Sequence, residues 1–200
     1  MSLVIIVMGV SGAGKSTVAQ ALAQALNFRY FDADNFHSDV NKAKMASGLA
    51  LTDVDREPWL NSLASAISQW QKAEQGAVLA CSALKESYRK RLNPGHAPGL
   101  GREHGPEQGH GNTQENTEEN PQEHQNRPGA AKFVYLKASY DEIYRRMEQR
   151  QNHFMKAEML KSQFNTLEEP ADAIVVDATG SLEEIVAQIL EELGVEELKS

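Results

Sequence analysis

The segment GVSGAGKS, residues 9–16, has the residue types and the spacing needed to hold a polyphosphate. It follows an apolar run and precedes a helical pattern, so its glycines let backbone N–H groups converge on phosphate oxygens at the start of a helix. Lys15 supplies positive charge for the β- and γ-phosphates, and the Ser16 hydroxyl can ligate Mg²⁺. The predicted nucleotide-binding residues are Gly9, Val10, Ser11, Gly12, Ala13, Gly14, Lys15, Ser16 and Thr17.

A phosphate-binding loop of this kind does not by itself distinguish a kinase from a GTP-dependent switch protein. A switch protein would need an N-K-x-D segment to bind guanine. The chain contains only NKAK at 41–44, without the aspartate. The sequence therefore favours a kinase over a switch protein.

A second segment with the residue types for chemistry is FDADNFHSDVNKAKM, residues 31–45. The apolar run at 77–81 ends without the aspartate that many P-loop proteins use for magnesium, so another segment must supply that carboxylate. Alternation along a strand would place Asp32 and Asp34 on the same side, about 6.5–7 Å apart. We therefore predict that Asp32 ligates Mg²⁺ and that Asp34 orients an acceptor hydroxyl and takes its proton. In a protein without a phosphate loop, a solvated or capping role would be the better interpretation.

Arginines at two further places could bind anionic groups. Arg56 precedes a helical pattern and could clamp a substrate carboxylate through two hydrogen bonds. A surface ion pair with Asp53 or Asp55 is an equally good interpretation. Arg146 and Arg150 are spaced to share one helix face, where one could stack on adenine and the other could neutralise the transferring phosphoryl group. Most arginine pairs on helices are solvated, which is the alternative here.

Apolar runs and helical patterns alternate along the chain, as expected for a parallel sheet with helices on both faces. The runs lack polar alternation because helices cover both sides of such a sheet. The sequence therefore predicts an α/β fold. The predicted strands are 3–9, 28–32, 77–81, 132–136 and 173–178.

Helical patterns fall between these runs. One covers 16–26, directly after the phosphate loop, and another covers 58–70, with Pro58 expected in its first turn. Two later helices are predicted to begin at capping boxes, formed by the pairs Ser139–Glu142 and Ser181–Glu184.

Residues 94–131 break this alternation. The segment has almost no large apolar residues and is rich in Gly, Pro, Glu, Asn and Gln, so we predict a disordered insertion in a single domain spanning 1–200. Loop closure becomes only slowly more costly with length, so the core should tolerate it. Histidines in the insertion have irregular spacing and no cysteine joins them, so we expect no specific metal site. They are His96, His104, His110 and His124.

Composition excludes several classes of protein. A net charge of −8 over 200 residues argues against binding to nucleic acid or to an anionic membrane surface. The single cysteine, Cys81, excludes an intrachain disulfide and fits a reducing compartment. The apolar run at the start of the chain is too short to cross a membrane and lacks the features of a signal peptide. We therefore expect a cytoplasmic protein.

Six blocks of the chain carry a resemblance to a known family. The patterns HxxxNxxKM, LTDxDRxPWL, ACSALK and HFMxxxxLxSQFxxLExP occur together, and in this combination the chain resembles the gluconokinases of the shikimate-kinase-like P-loop group. Departures are Ala13 and Ala33, where the family often has Ser and Gly, and the insertion. The six blocks are MGVSGAGKST (8–17), DADNFHSDVNKAKM (32–45), LTDVDREPWL (51–60), ACSALKESYR (80–89), FVYLKASY (133–140) and RQNHFMKAEMLKSQFNTLEEP (150–170).

The resemblance implies a three-layer P-loop kinase fold with a five-stranded parallel sheet, a mobile lid around 150–166 and, commonly, a homodimer. It also implies ATP- and Mg²⁺-dependent phosphorylation of D-gluconate at its 6-hydroxyl, which feeds the pentose phosphate pathway. By similarity, Asp34 matches the carboxylate at the acceptor hydroxyl and Arg56 the arginine that faces the substrate carboxylate. Arg146 and Arg150 match the lid-side pair.

The resemblance also names the residues expected to act together in catalysis, Lys15, Asp34 and Arg150. The substrate-binding residues expected around the sugar acid are Asp34, His37, Asn41, Lys44, Arg56 and Lys85, with the individual roles of His37, Asn41, Lys44 and Lys85 left open. Two alternatives stay open at this point. One is another small-molecule kinase of the same fold, acting on shikimate or a related sugar acid, and the other is a nucleotide-binding regulatory module without catalytic activity.

Overall fold

A parallel sheet forms the centre of the protein. The computed structural model describes residues 3–93, 130–149 and 157–195. Within these residues there are five strands: β1 Val4–Met8, β2 Arg29–Asp32, β3 Ala77–Ala80, β4 Lys132–Lys137 and β5 Ile174–Asp177. They pair in the order β2-β3-β1-β4-β5, and every pair is parallel. All five predicted strands are confirmed.

Helices connect the strands and cover both faces of the sheet. In the described parts of the chain they are α1 Lys15–Ala25, α2 Asp39–Ala46, α3 Asp53–Lys72, α4 Glu86–Leu92, α5 Tyr140–Gln149, α6 Ala157–Thr166 and α7 Leu182–Glu192, with a 3₁₀ turn at Ala33–Phe36. No helix of these parts is both long and apolar enough to cross a membrane. The predicted three-layer α/β architecture is confirmed.

Strand β1 separates the two layers of the core. All of its residues are fully buried, and its side chains alternate between the two faces. Ile5 and Val7 pack in a cluster with residues of α1, α5 and α7. Val4, Ile6 and Met8 pack in a second cluster with α3 and α4. A central strand that is apolar on both faces explains why the run at 3–9 showed no polar alternation.

Helix α3 begins earlier than predicted. Thr52 caps it, because its side-chain oxygen accepts the Asp55 N–H at 3.2 Å while the Asp55 carboxylate accepts the Thr52 N–H at 2.7 Å. The helix therefore starts at Asp53, and Pro58 lies inside it rather than in its first turn. The prediction for Pro58 was wrong because this capping box supplies the start signal upstream of the proline. The added turn carries Asp53, Asp55 and Arg56.

The two predicted capping boxes differ. At α7, Ser181 and Glu184 bond reciprocally, as predicted. At α5, the Ser139 hydroxyl accepts the Glu142 N–H at 3.3 Å, but the Glu142 carboxylate pairs with two arginines of the same helix, Arg145 and Arg146. Competition by these cations explains why only one of the two bonds of this box forms.

The predicted insertion has a different boundary on its C-terminal side. Residues 94–129 lie outside the described residues. Ala131, however, is 5% exposed and packs in the core cluster that contains Val4, Ile6 and Met8. Its N–H donates to the Asn93 side-chain oxygen at 3.3 Å, so residues 93 and 131 lie side by side. Of the predicted lid, 150–156 also lie outside the described residues, whereas 157–166 form α6.

The capping box of α7 provides a test of the fold away from the site. Changing Ser181→Ala removes the acceptor of the Glu184 N–H, so we expect the free energy of unfolding to fall by about 0.5–2 kcal/mol. Urea unfolding followed by circular dichroism measures this change. Ser181→Thr keeps the hydroxyl as acceptor and as donor to Glu184, and it should stay near the original stability. Equal losses in both variants would contradict a capping role.

Candidate active site

Three loops meet at the carboxyl end of the sheet. They follow β1, β2 and β3, and in open parallel sheets this edge is where ligands bind. The Gly9 N–H donates to the Ser82 carbonyl at 3.3 Å, which joins the loop after β1 to the loop after β3. The residues of the phosphate loop, the Asp32–Asp34 segment and Lys85 are thus all placed at one edge.

The phosphate loop has the geometry of an anion site. Gly12 and Gly14 adopt positive φ angles of 85° and 94°, which glycine adopts without steric cost. Among the described residues, no backbone or side-chain group accepts the N–H of Gly12, Gly14, Lys15 or Ser16. Free amides at a loop that opens a helix are the donors that phosphate oxygens need.

Lys15 lies over this loop. Its Nζ donates to the Val10 carbonyl at 2.9 Å. Burial lowers the pKa of Lys15, and the charge of Asp34 offsets part of that effect. The neighbouring Cys81 thiol is buried, which raises its pKa to about 12, so it stays protonated beside the lysine. The nearby carboxylates of Asp34 and Asp32 favour the charged form of the lysine, which is the form that an anionic ligand needs.

Gly12 also lets α5 approach the loop. A Cβ at this position would lie 3.0 Å from Ile143 Cγ2 and 3.3 Å from Met147 Cγ. Both distances are too short for ordinary packing, and the positive φ adds strain for any other residue. Glycine at this position thus serves the helix contact as well as the loop.

The two predicted magnesium ligands lie together. The Ser16 hydroxyl donates to Asp32 Oδ2 at 3.4 Å, and the same carboxylate oxygen accepts the Tyr30 hydroxyl at 3.0 Å. In the described parts of the chain, no group of three or more His, Cys, Asp or Glu side chains could hold a metal ion. Mg²⁺ commonly takes one or two protein carboxylates and completes its shell with phosphate and water. A hydroxyl and one carboxylate beside a phosphate loop fit that ion.

A turn, and not a strand as predicted, positions Asp34. It lies in the 3₁₀ turn after β2, where its N–H donates to Asp32 Oδ1 at 3.0 Å. Strand alternation therefore does not relate the two carboxylates, and that part of the prediction was wrong. Trp59 of α3 donates its ring N–H to the Ala33 carbonyl at 2.8 Å, which holds the turn in place. Asp34 itself is exposed at the mouth of the site.

His37 is packed against this turn. It is 7% exposed and stacks on the Trp59 ring with centroids 4.6 Å apart. Its Nδ1 is buried and has no hydrogen-bond partner among the described residues. Burial lowers the pKa of His37, with Asp34 offsetting part of the shift. The structure thus places a neutral imidazole, with an unused ring nitrogen, next to the Asp34 turn.

Asn41 and Lys44 of α2 are held by the first turn of α3. The Asn41 side-chain nitrogen donates to the Asp55 carbonyl at 2.7 Å, and Lys44 Nζ lies 2.6 Å from Asp55 Oδ2. Bonds from Lys44 and Thr52 keep the pKa of Asp55 well below its usual range. One carboxylate therefore both caps α3 and orients a predicted substrate-binding lysine.

Asp53 orients two other cations, Lys85 and Arg56. Lys85 Nζ lies 2.6 and 2.8 Å from its two oxygens, and Arg56 lies 3.8 Å away. The Tyr88 hydroxyl also donates to Asp53. For Arg56 the ion pair considered as the alternative is present, although its distance is long. The sequence suggested Asp53 and Asp55 only as possible partners of Arg56, because pairing with the distant Lys85 and Lys44 depends on tertiary structure.

Of the two predicted lid arginines, only Arg146 lies among the described residues. Arg146 lies on α5, the helix that contacts Gly12, and its Nε donates to Glu142 at 2.9 Å. Arg146 is thus partly buried and paired within its own helix, and its contact with a nucleotide stays a prediction. Arg150 lies outside the described residues, so its expected position beside the nucleotide stays a prediction.

Two residues near the end of α6 were missed. The Ser11 N–H donates to Gln163 Oε1 at 2.6 Å. Glu168 donates its N–H to the Leu84 carbonyl at 2.9 Å, and its carboxylate accepts the Glu86 N–H at 2.6 Å. Both residues lie in a block that carried the family resemblance. The pattern HFMxxxxLxSQFxxLExP contains both residues, but it gives no role to either, because each acts through a loop far away in sequence.

Comparisons with known proteins agree on the family. A family model described as an AAA domain matches residues 5–169. A probable gluconokinase from Mus musculus is 40% identical over 193 residues, which are 95% of this chain and 97% of that protein. The chain belongs to the gluconokinase family. The thermoresistant gluconokinase of Escherichia coli strain K12 is 37% identical over 190 residues, 93% of this chain and 90% of that protein.

A solved structure supports the same membership. The crystal structure of a gluconokinase from Sinorhizobium meliloti 1021 superposes with a TM-score of 0.72 at 34% identity, covering 96% of this chain and 92% of that chain. The resemblance to gluconokinases inferred from the six blocks is therefore confirmed. The likeness extends over the phosphate loop, the sheet and the helices described above.

The buried imidazole predicts a pH dependence of stability. Burial lowers the folded-state pKa of His37 below its unfolded value of about 6.5, so the unfolded chain binds this proton first as the pH falls. The contribution of the neutral His37 ring to the free energy of unfolding should therefore be lost as the pH drops from 7.5 to 5. Urea unfolding of the original chain and of His37→Gln measures this. The stability difference between them should shrink toward pH 5, and a constant difference would contradict burial of the neutral ring.

Proposed function

We propose that this chain is a gluconokinase that transfers the γ-phosphoryl group of ATP to the 6-hydroxyl of D-gluconate and releases 6-phospho-D-gluconate and ADP. The product would feed the pentose phosphate pathway. The observation that supports this most strongly is the convergence of a phosphate loop, an exposed carboxylate and a group of cations at one sheet edge in a member of the gluconokinase family. A cytoplasmic homodimer is part of the proposal.

The phosphate loop would hold ATP. The free amides of Gly12, Gly14, Lys15 and Ser16 would take the oxygens of the β- and γ-phosphates, and the Lys15 ammonium would neutralise their charge. Because Lys15 already bonds to the loop, little reorganisation is needed when the triphosphate binds. Positioning and charge stabilisation are the main contributions that a protein makes to phosphoryl transfer.

Ser16 and Asp32 would hold Mg²⁺ through a hydroxyl and a carboxylate oxygen. A bound Mg²⁺ neutralises charge that develops on the phosphates during transfer. Asp32 is already oriented by the hydroxyl of Tyr30 and the N–H of Asp34, so its carboxylate has a defined direction. Oriented ligands of this kind raise metal affinity because less order is imposed on binding.

Asp34 would act on the acceptor. Its carboxylate is exposed at the mouth of the site, and the adjacent turn is fixed by the bond from Trp59. From that position it can accept a hydrogen bond from the attacking hydroxyl and take its proton as the phosphoryl group transfers. His37 and Asn41 would contribute neutral hydrogen-bonding groups for the other hydroxyls of the sugar acid.

The cations of the site would bind the carboxylate of gluconate. Arg56, Lys44 and Lys85 are each held by an acidic residue of the first turn of α3. The pair of Arg56 with Asp53 is long at 3.8 Å, so the guanidinium can turn toward a substrate carboxylate at small energetic cost. A planar guanidinium suits a carboxylate because it offers two parallel hydrogen bonds.

Arg146 and Arg150 are proposed to act on the nucleotide side. Arg146 would exchange its bond with Glu142 for a contact with the nucleotide, and Arg150 would neutralise the transferring phosphoryl group. Because the side chains of Arg146 and Glu142 are both partly exposed, an anionic nucleotide can compete for the guanidinium. Lys15, Asp34 and Arg150 together form the proposed catalytic set.

A coupled assay of ADP release tests the function directly. Gluconate should give turnover with ATP and Mg²⁺, whereas shikimate, epimers of gluconate and nucleoside monophosphates should give much less. Preference for shikimate or another sugar acid would instead favour a kinase of the same fold with a different acceptor. No turnover with any acceptor, together with intact ATP binding, would favour a regulatory module.

Asp34→Asn tests the proposed base. The change keeps the shape but removes the charge that receives the proton, so we expect kcat to fall roughly 10²–10⁴-fold. Steady-state kinetics with gluconate and ATP measure it. Asp39→Asn is the matched control, because Asp39 is an exposed aspartate of the same segment and should leave kcat nearly unchanged. A loss of less than about threefold in Asp34→Asn would remove this residue from the mechanism.

A further inference from the structure

Gln163 contacts the phosphate loop from α6. Its side-chain oxygen accepts the Ser11 N–H at 2.6 Å. The helix that carries it is firmly packed, since Leu160 is fully buried and the Phe164 ring meets Tyr140 of α5 edge-on at 5.5 Å. Gln163 lies between these two anchors, so its position relative to the loop is defined.

The amide that Gln163 binds is separate from those that remain for phosphate. In the described residues, the N–H groups of Gly12, Gly14, Lys15 and Ser16 have no protein acceptor, whereas that of Ser11 is satisfied by Gln163. Gln163 therefore leaves the free donors available. Instead, it holds the part of the loop that precedes them.

Other contacts hold the same part of the loop. The Gly9 N–H bonds to Ser82, and Gly12 lies against Met147 and Ile143 of α5. The Ser11–Gln163 bond is a side-chain hydrogen bond that spans 152 positions of sequence and connects this part of the loop to α6. Without it, the Ser11 amide would lose its acceptor and the loop would lose one of its supports.

We propose that Gln163 is a positioning residue for phosphoryl transfer. By accepting the Ser11 N–H, it keeps the free amides of the phosphate loop converged on the triphosphate. This inference rests on the proposed function for its activity measurement. Errors of about 1 Å in the placement of reacting groups cost up to about 10²-fold in rate, so one supporting bond has a measurable effect.

The residues that follow Gln163 extend this function to the acceptor side. Glu168 bonds to Leu84 and Glu86, which flank Lys85. The buried Arg89 donates to the carbonyls of Ala83 and Leu84 and keeps the same loop in place. One short stretch of chain is thus bonded to the phosphate loop and to the loop that carries a substrate-side lysine. Gln163 and Glu168 together therefore connect the first loop to the second.

Two substitutions separate the acceptor oxygen of Gln163 from its other features. Gln163→Met keeps the length of the side chain but removes the acceptor, so we expect kcat to fall about 10- to 100-fold, with the KM for gluconate changed less than about threefold. Gln163→Glu keeps an acceptor and adds a negative charge. We expect its KM for ATP to rise through repulsion, while kcat at saturating ATP stays within about threefold of the original.

Hydrogen exchange of the Ser11 amide, measured by NMR, provides a test that needs no acceptor substrate. The amide should exchange about tenfold faster or more in Gln163→Met, and near the original rate in Gln163→Glu. Asn165→Met is the control, because it makes the same kind of change at an exposed position of α6 and should alter neither exchange nor kcat.

Three results would overturn the inference. The first is a Gln163→Met variant that keeps kcat within about threefold. The second is a Gln163→Glu variant as slow as Gln163→Met at saturating ATP, which would mean that an acceptor oxygen at this position does not restore the rate. The third is unchanged exchange at Ser11 in Gln163→Met. If the original chain fails to phosphorylate gluconate, the proposed function is refuted. The exchange rate of the Ser11 amide then still shows whether Gln163 protects that amide.

Discussion

The parallel pairing of β1 with β3 and β4 determines where every group of the site lies. β1 is fully buried, and its residues alternate between two apolar clusters. A shift of its register by one residue would exchange these clusters and move the glycine that follows the strand. The loops after β1, β2 and β3 reach one edge only because all strands run in the same direction. The chemistry of the site thus depends on apolar residues that touch no ligand.

Charge is arranged at this edge in balanced pairs. The cations expected at the substrate are each held by an aspartate in the first turn of α3, and Lys15 lies near the charges of Asp32 and Asp34. A chain with a net charge of −8 therefore still has lysines and an arginine at this edge that an anionic sugar acid and ATP can bind. The partly buried Asp55 orients Lys44, whereas the exposed Asp53 orients Lys85 and Arg56 through pairs that are weak enough to be exchanged.

The elements were largely predictable from sequence, because buried strands and the phosphate loop leave strong local patterns. Such patterns predict all five strands and the start of α1 after Gly14. They also predict that Ser16 and Asp32 lie together. The 3₁₀ turn that carries Asp34 did not follow, since an Asp-x-Asp segment at a strand end is compatible with continued strand or with a turn. The early start of α3 was hidden because Pro58 gave a competing start signal. Gln163, Asp53 and Asp55 act through tertiary contacts, and local patterns carry no information about such partners.

The hydrogen bond between Asn93 and Ala131 has a practical consequence for protein engineering. It brings the end of α4 next to the beginning of β4, and Ala131 is already part of the core. A foreign domain whose own termini lie close together, such as a fluorescent reporter or an affinity tag, could replace residues 94–129 without pulling the two elements apart. The entropic cost of closing the added loop grows only slowly with its length. A fluorescent domain inserted here would therefore report the amount of the kinase, while the phosphate loop keeps its sequence and contacts.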